Sequence, residues 1–275
     1  MTMKSERAYS VPVSLDDTAP PMVRVWRASS DILLPVITFA VLLVAWQELV
    51  DSGVLNRAYV ASPTAAVAEA VRLFGQAGFW TDLRVSGEEL GLGLGIAIVI
   101  GISGGMLCGW YPTLRKAIQP IINGYSAVPQ IALIPVIILL LGIGIASKVA
   151  MVALICVPTF WLNTVTGIQH IDQRYVRTAR SFVATDPQMF RWVALPAAFP
   201  NMLSALRLGT GHALIAIIVA EIYGSQAGIG HRMTQAANNY DPDQMFACLL
   251  VITAFALLVN FGLSKLEKRF TRWEM

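Results

Sequence analysis

The chain has 275 residues, of which 56% are hydrophobic and only 13% charged, and its formal net charge is +3. With a mean hydropathy of +0.62 this composition excludes an ordinary soluble domain and is that of a helical membrane protein. The charge is too small to argue for a nucleic-acid partner; where the charges sit carries more information.

Residues 1–30 contain Pro12, Pro20 and Pro21 with scattered Ser and Asp and no periodicity. They read as a flexible tail. Six apolar runs follow, near 32–50, 90–110, 119–142, 149–168, 202–222 and 244–264. Each approaches the roughly 20 residues that a bilayer core requires. Unpaired backbone groups are costly in lipid, so the runs are predicted to be helices. The first is preceded by a long polar stretch and is too long for a signal-peptide core, so it reads as a retained span.

Lys and Arg set the orientation. With the N-terminus inside, the inner segments hold Arg24, Arg27, Arg115, Lys116, Arg174, Arg177, Arg180, Arg191, Arg207, Lys265 and Lys268. The outer ones hold Arg57, Arg72, Arg84, Lys148 and Arg232. This bias predicts both termini in the cytoplasm. The domain reading is a tail at 1–30, a transmembrane domain at 31–270 and a cytoplasmic tail at 271–275.

After the first span, Ser62-Pro63 predicts a helix start. Val67, Val71 and Phe74 fall on one face of that outer helix. It serves either to dock a partner or to pack along the membrane edge. In the second span Gly91, Gly95, Gly101, Gly105 and Gly109 allow close helix approach, within one subunit or between two copies. No GxxxxGK[ST] occurs in the chain, so it lacks that ATP site.

The third span holds Pro120, Pro129 and Pro135, with Gln130 beside the second. Such a helix either lines a pathway or packs as a kinked element. The fourth holds Pro158, Trp161 and Asn163. Asn163 bonds to another helix or contacts a solute. In the fifth, Arg207 lies near the inner end, His212 deeper, and Glu221 near the outer end. His212 is either functional or a satisfied interhelical group. Glu221 either gates the path or holds the following loop. Asp241-Pro242 is predicted to cap the last span. Cys108, Cys156 and Cys248 lie within spans without CxxC spacing, which favours packing over metal or disulfide chemistry.

Between the fourth and fifth spans lies a basic polar insert, His170 to Pro200. Asp186 is placed to cap a short helix beginning at Pro187, which Leu195-Pro196 is expected to end. Met189, Phe190 and Val193 put apolar groups on a common side. Two turns are too short to be stable alone in water. The helix therefore docks in a partner's groove or lies on the membrane surface.

The segment Tyr175 to Pro200 resembles the EAA loop of ABC importer permeases. Ser62-Pro63-Thr64, Val128-Pro129-Gln130 through Pro135, Gly142 through Lys148, Leu162-Asn163-Thr164 and Ala220-Glu221 followed by Gly228-Ile229-Gly230 are similar to the branch that serves nitrate, sulfonate and taurine. The resemblance covers roughly 31–270. It implies an all-α, type I importer transmembrane domain of about six helices. It implies that Asp186 to Trp192 is a coupling helix, with Arg177, Thr178, Ala179, Val183, Asp186, Pro187, Met189, Phe190, Leu195 and Pro196 at the ATPase contact. The implied partners are a second permease copy, a cytoplasmic ATPase dimer that binds ATP and Mg, an extracytoplasmic solute-binding protein and the bilayer. No cofactor or metal on this chain is implied, and the chain itself is no enzyme. Gln130, His212 and Glu221 are the pathway candidates, and the solute is expected to be a small anion.

Two positions depart from the family. Arg177-Thr178-Ala179 stands where Glu-Ala-Ala is usual, and Val183 where glycine is usual. Valine resists a left-handed backbone, so the turn is expected to be built differently. An ion-coupled secondary transporter is the alternative. It predicts ionisable groups deep in several spans, whereas the sequence offers only His212. A membrane enzyme needs clustered acids or histidines, and His170, His212 and His231 lie at separate depths.

Overall fold

A computed structural model describes residues 21–271, and every regular element among them is helical. The chain divides into a unit up to Asn56 and a second from Arg57 onward. The first contains α1, Pro21–Asp51, whose apolar span is Leu33–Asp51. Residues 21–30, read from the sequence as irregular, are helical, and the rest of that tail lies outside the described residues. So do residues 272–275 of the C-terminal tail.

The second unit opens with α2, Pro63–Phe74, started as predicted: the Ala65 N–H donates to Ser62 Oγ at 3.3 Å. Its apolar side differs from the expected one. Ala66 and Leu73 are buried, while Val67, Val71 and Phe74 are exposed. Small Ala66 lets α2 approach α11, whose Ala247 and Cys248 join Leu73 and Phe79 in one cluster.

Three long helices form the core: α3, Ala77–Trp110; α6, Ile145–Gln169; and α9, Leu195–Gly224. Glycines on α3 set the approach to α6. A Cβ built on Gly101 would lie 2.5 Å from Phe160 Cβ, and one on Gly105 2.8 Å from Thr164 Cβ. The glycine stripe is thus used within the subunit at these positions, while Gly91 and Gly95 have nothing within 4 Å. Phe160, Val152, Cys156, Ala205, Ala213 and Ile217 fill the space between α6 and α9. All three cysteines are buried.

Among the described residues five helices are long and apolar enough to cross a membrane, or six if a bent pair counts as one. That pair is the run expected as the third span. It comprises α4, Pro112–Ala127, then a 3-10 turn at Gln130–Leu133 leading into α5, Ile134–Leu141. The two arms meet at 84°. Val128 is extended, as a residue before proline must be, and Pro129 cannot donate to the helical ladder. The remaining elements are α7, Gln173–Ser181; α8, Asp186–Met189; α10, Ile229–Asn238; and α11, Pro242–Thr271. Asp241 caps α11 as predicted, accepting from the Gln244 N–H at 3.0 Å.

Gly101→Leu should force α3 and α6 apart. We expect a loss of about 1–3 kcal/mol or more from overpacking, read as a lower unfolding temperature of the purified protein. Gly95→Leu, on an open face, should leave it unchanged.

Candidate functional site

Two regions gather the residues that the sequence singled out. The first is a cavity of about 470 Å³ bounded by α4, the 3-10 turn, α6 and α9. Its polar lining is Ser126, Gln130, Thr159, Asn163 and His212; the remainder is apolar, including Ile131, Leu162 and Leu208. Gln130 and His212 therefore meet at one site. Glu221 does not line it. His212 Nδ1 and Thr159 Oγ1 share a hydrogen bond of 3.0 Å, and Asn163 Nδ2 donates to the Thr159 carbonyl at 2.8 Å. The polar groups of α6 and α9 are thereby fixed relative to each other. His212 is the one ionisable side chain on the lining, so the site has no fixed negative charge.

Pro158 shapes this wall. Lacking an N–H, it cannot bond the Leu154 carbonyl one turn earlier. Tyr125 of α4 supplies the missing donor: its hydroxyl donates to the Leu154 oxygen at 3.1 Å. A proline-induced defect in α6 is thus what ties α4 to it.

The second region is the polar insert. Asp172 caps α7, accepting from the Arg174 N–H at 2.8 Å, and its other oxygen pairs with the Arg174 guanidinium at 2.6 Å. The Arg174 side chain, with its backbone N–H, holds the Asp172 carboxyl below the usual carboxylate range. The cap therefore stays ionised at neutral pH.

At the end of α7 the turn corrects the sequence reading. Val183 has φ 56°, the left-handed conformation that valine was expected to refuse. The Val183 N–H donates to the Arg180 carbonyl and the Ala184 N–H to the Ala179 carbonyl, at 2.9 and 3.1 Å. These two bonds make a Schellman closure. They satisfy carbonyls that would otherwise be orphaned, which outweighs the steric cost of a β-branched residue there.

Helix α8 also differs from expectation. Its N-cap is Thr185, not Asp186, and Gln188 Oε1 accepts from both the Thr185 N–H and its hydroxyl, at 2.8 and 3.0 Å. Leu195-Pro196 does not end the helix. Phe190–Ala194 form a π turn in which the Leu195 N–H reaches the Phe190 carbonyl, five residues back. This wider turn absorbs Pro196, which cannot bond to Trp192 in the ordinary register. Asp186 to Gly224 is consequently one helical run of 39 residues.

Side-chain directions are corrected too. Met189 is 5% exposed, and Phe190 packs edge-on against Trp110 with ring centroids 5.5 Å apart. Phe190 packs against a buried cluster with Ile168, Ala194 and Ala198, and neither side chain belongs to an outward face. The exposed apolar groups are Phe182 at 81%, Val183 at 86% and Trp192 at 71%. Tyr175, Thr178, Ala179, Phe182, Trp192 and Pro196 line an open groove of about 460 Å³. Arg177, Asp186 and Pro187 are exposed around it.

Sequence reasoning missed a buried polar cluster near the C-terminal end of α9. Lys148 Nζ pairs with Glu89 Oε1 at 3.2 Å, both nearly inaccessible, and Glu221 is fully buried. Glu89 escaped notice because the second span was started one residue after it, whereas α3 begins at Ala77. The available signal was that three charges flank the outer ends of three spans.

The family model for the inner membrane component of binding-protein-dependent transport systems matches residues 97–272. The chain belongs to this family. It is similar to the taurine transport system permease protein TauC of Escherichia coli (strain K12), at 29% identity over 253 residues, covering 90% of this chain and 92% of that one. A probable ABC transporter permease protein of Haemophilus influenzae is 30% identical over 240 residues, covering 87% and 97%. In fold it is similar to the inward-facing MetNI methionine ABC transporter, with a TM-score of 0.62 and 20% identity over 71% of this chain and 95% of that one. The protein is thus a multi-pass bacterial inner-membrane permease of the ABC importer class, with the type I transmembrane fold. The comparisons carry no support for the ion-coupled alternative.

Two substitutions test this geometry. Tyr125→Phe should cost about 1–3 kcal/mol by leaving the Leu154 carbonyl unpaired, seen as a lower unfolding temperature. Val183→Gly should relieve about 1 kcal/mol of left-handed strain, seen as slower proteolysis within the insert.

Proposed function

We propose that two copies of this chain form the pathway of an importer for a small anion, driven by a cytoplasmic ATPase dimer and fed by an extracytoplasmic binding protein. The observation that carries the reading is the apolar groove of the polar insert. Phe182, Val183 and Trp192 are large, apolar and far more exposed than a lone soluble surface favours. Aromatic anchors around a groove are what a protein partner buries. The α7–α8 insert is therefore the ATPase contact, with Thr178, Ala179, Leu195 and Pro196 shaping it and Arg177 meeting an acidic partner group. Met189, Phe190 and Asp186 support the insert from within or at its edge. ATP and Mg belong to the ATPase, and both termini of this chain face the cytoplasm with it.

The cavity is this chain's half of the pathway. Its hydroxyl and amide groups donate hydrogen bonds, and no carboxylate lines it. Such a lining offers nothing to balance a cation and suits a sulfonate, carboxylate or similar anion. Taurine, named for the Escherichia coli relative, bears a sulfonate. The chain performs no covalent chemistry. Transport follows from unequal affinity of ATPase and binding protein for its inward- and outward-facing states.

Co-purification with the ATPase and reconstitution with the binding protein test the reading. Phe182→Asp with Trp192→Asp should abolish ATPase association, losing at least about 2 kcal/mol per aromatic anchor, while the permease still inserts. Phe190→Asp should instead destabilise the insert. ATP hydrolysis stimulated by small cations but by no anion would overturn the assigned solute class.

A further inference from the structure

The outer cluster does more than bury charge. Three consecutive backbone N–H groups at the start of α10 are each met by a side chain from a membrane helix. The Gly228 N–H donates to Asp82 Oδ1 at 2.9 Å, the Ile229 N–H to Ser86 Oγ at 2.9 Å, and the Gly230 N–H to Glu221 Oε2 at 2.7 Å. The Ser86 hydroxyl in turn donates to Glu221 Oε1 at 2.5 Å. Arg232 of α10 closes the ring on Asp82 Oδ2 at 2.7 Å. The loop lies directly on the carboxylate because glycines leave room. A Cβ on Gly228, whose φ is +112°, would sit 2.5 Å from Glu221 Cδ, and one on Gly230 would sit 2.6 Å from the Ile218 carbonyl oxygen. The pattern Ala220-Glu221 with Gly228-Ile229-Gly230 is thus one device: an acid, and a loop thin enough to seat on it.

Glu221 also stands at one end of the unbroken run Asp186–Gly224. At 1.5 Å per residue that run is about 58 Å long. Trp192 and Pro196 of the docking groove lie at its other end. The π turn and Pro200 are confined to the inner end, and no proline follows Pro200 in the helix. The Lys148–Glu89 pair ties α6 to α3 beside the carboxylate. Charge-assisted bonds in a site closed to water are short and directional. A shift or rotation of α9 therefore cannot leave α10 behind without breaking them.

We propose that Glu221 is the positioning residue that links the inner docking groove to the outer helix α10, with Ser86 holding its carboxylate in place. The state of the docking groove is carried along α9 and read out at α10. By reciprocity, holding α10 biases the groove. The groove end of this proposal rests on the function proposed above; the seating of α10 on Glu221 does not.

The test is amide hydrogen exchange at residues 229–232, in nanodiscs, for the permease alone and for its complex with the ATPase, free of nucleotide and trapped with ATP and vanadate. In the free permease, Glu221→Gln should speed exchange there about tenfold, because an amide can accept at one oxygen only. Ser86→Ala is the milder variant should Glu221→Gln fold poorly. In the wild-type complex, trapping should change exchange at 229–232 about threefold or more. In both variants that change should vanish while basal ATP hydrolysis persists. Asp82→Ala, which removes the Gly228 and Arg232 contacts but spares the bond to α9, should loosen α10 yet keep the response to trapping. An unchanged response in Glu221→Gln and Ser86→Ala, or none in the wild type, would overturn the link. Normal protection of 229–232 in the free variants would overturn the seating itself. If no ATPase associates with the wild type, the proposed function fails, and the free-permease comparison still decides the seating.

Discussion

A backbone carbonyl or N–H held away from water must find a partner, and in a membrane helix every proline breaks that rule locally. The fold answers the problem differently at each proline, and the answers organise the functional parts. At Pro158 the orphaned Leu154 carbonyl is taken by Tyr125, which fixes α4 beside the cavity. At Pro196 the backbone widens into a π turn, which keeps α8 and α9 one continuous helix. At Pro129 no local repair is made, and the chain bends by 84° into a second arm. The cavity wall, the 84° bend and the long helical run Asp186–Gly224 all follow from how these prolines are accommodated.

The same requirement explains the two least expected conformations. Val183 and Tyr240 both adopt φ 56°, and each closes a helix through paired bonds to carbonyls two and three residues before its cap. Glycine would take either position without strain. The hydrogen bonds gained outweigh the steric cost of keeping a side chain there. Val183 therefore places an exposed apolar side chain on a turn whose backbone glycine would also adopt.

The core supplies the rigidity against which these details act. Glycines at 101 and 105 bring α3 against Phe160 and Thr164 of α6, and Gly209 of α9 leaves room for the Phe160 ring. Polar ties are concentrated near the C-terminal end of α9, where Ser86, Glu89, Lys148 and Glu221 join α3, α6, α9 and α10. Toward its N-terminal end Arg207 reaches Asn260 and Glu267 of α11 instead. Buried polar bonds thus tie whole helices together at one end of α9, and the exposed groove of the insert lies at its other end.

The sequence alone determined the spans, the start of α2 at Ser62-Pro63, the cap at Asp241 and the presence of a polar helical insert, because these follow from hydropathy and from residues a few positions apart. It also pointed to Gln130 and His212, since polar groups in apolar runs are conspicuous. It could not tell that Met189 and Phe190 turn inward while Phe182 and Trp192 stay outside, because the direction of a short helix is set by what packs beneath it, here Trp110. Nor could it tell that Pro196 is bridged rather than obeyed, or that Glu221 belongs with Ser86 and Gly230 rather than with the cavity. Those outcomes depend on contacts between residues as far apart in the chain as 86 and 221. Only the packing of α3 against α6 and α9 brings such residues within hydrogen-bonding reach.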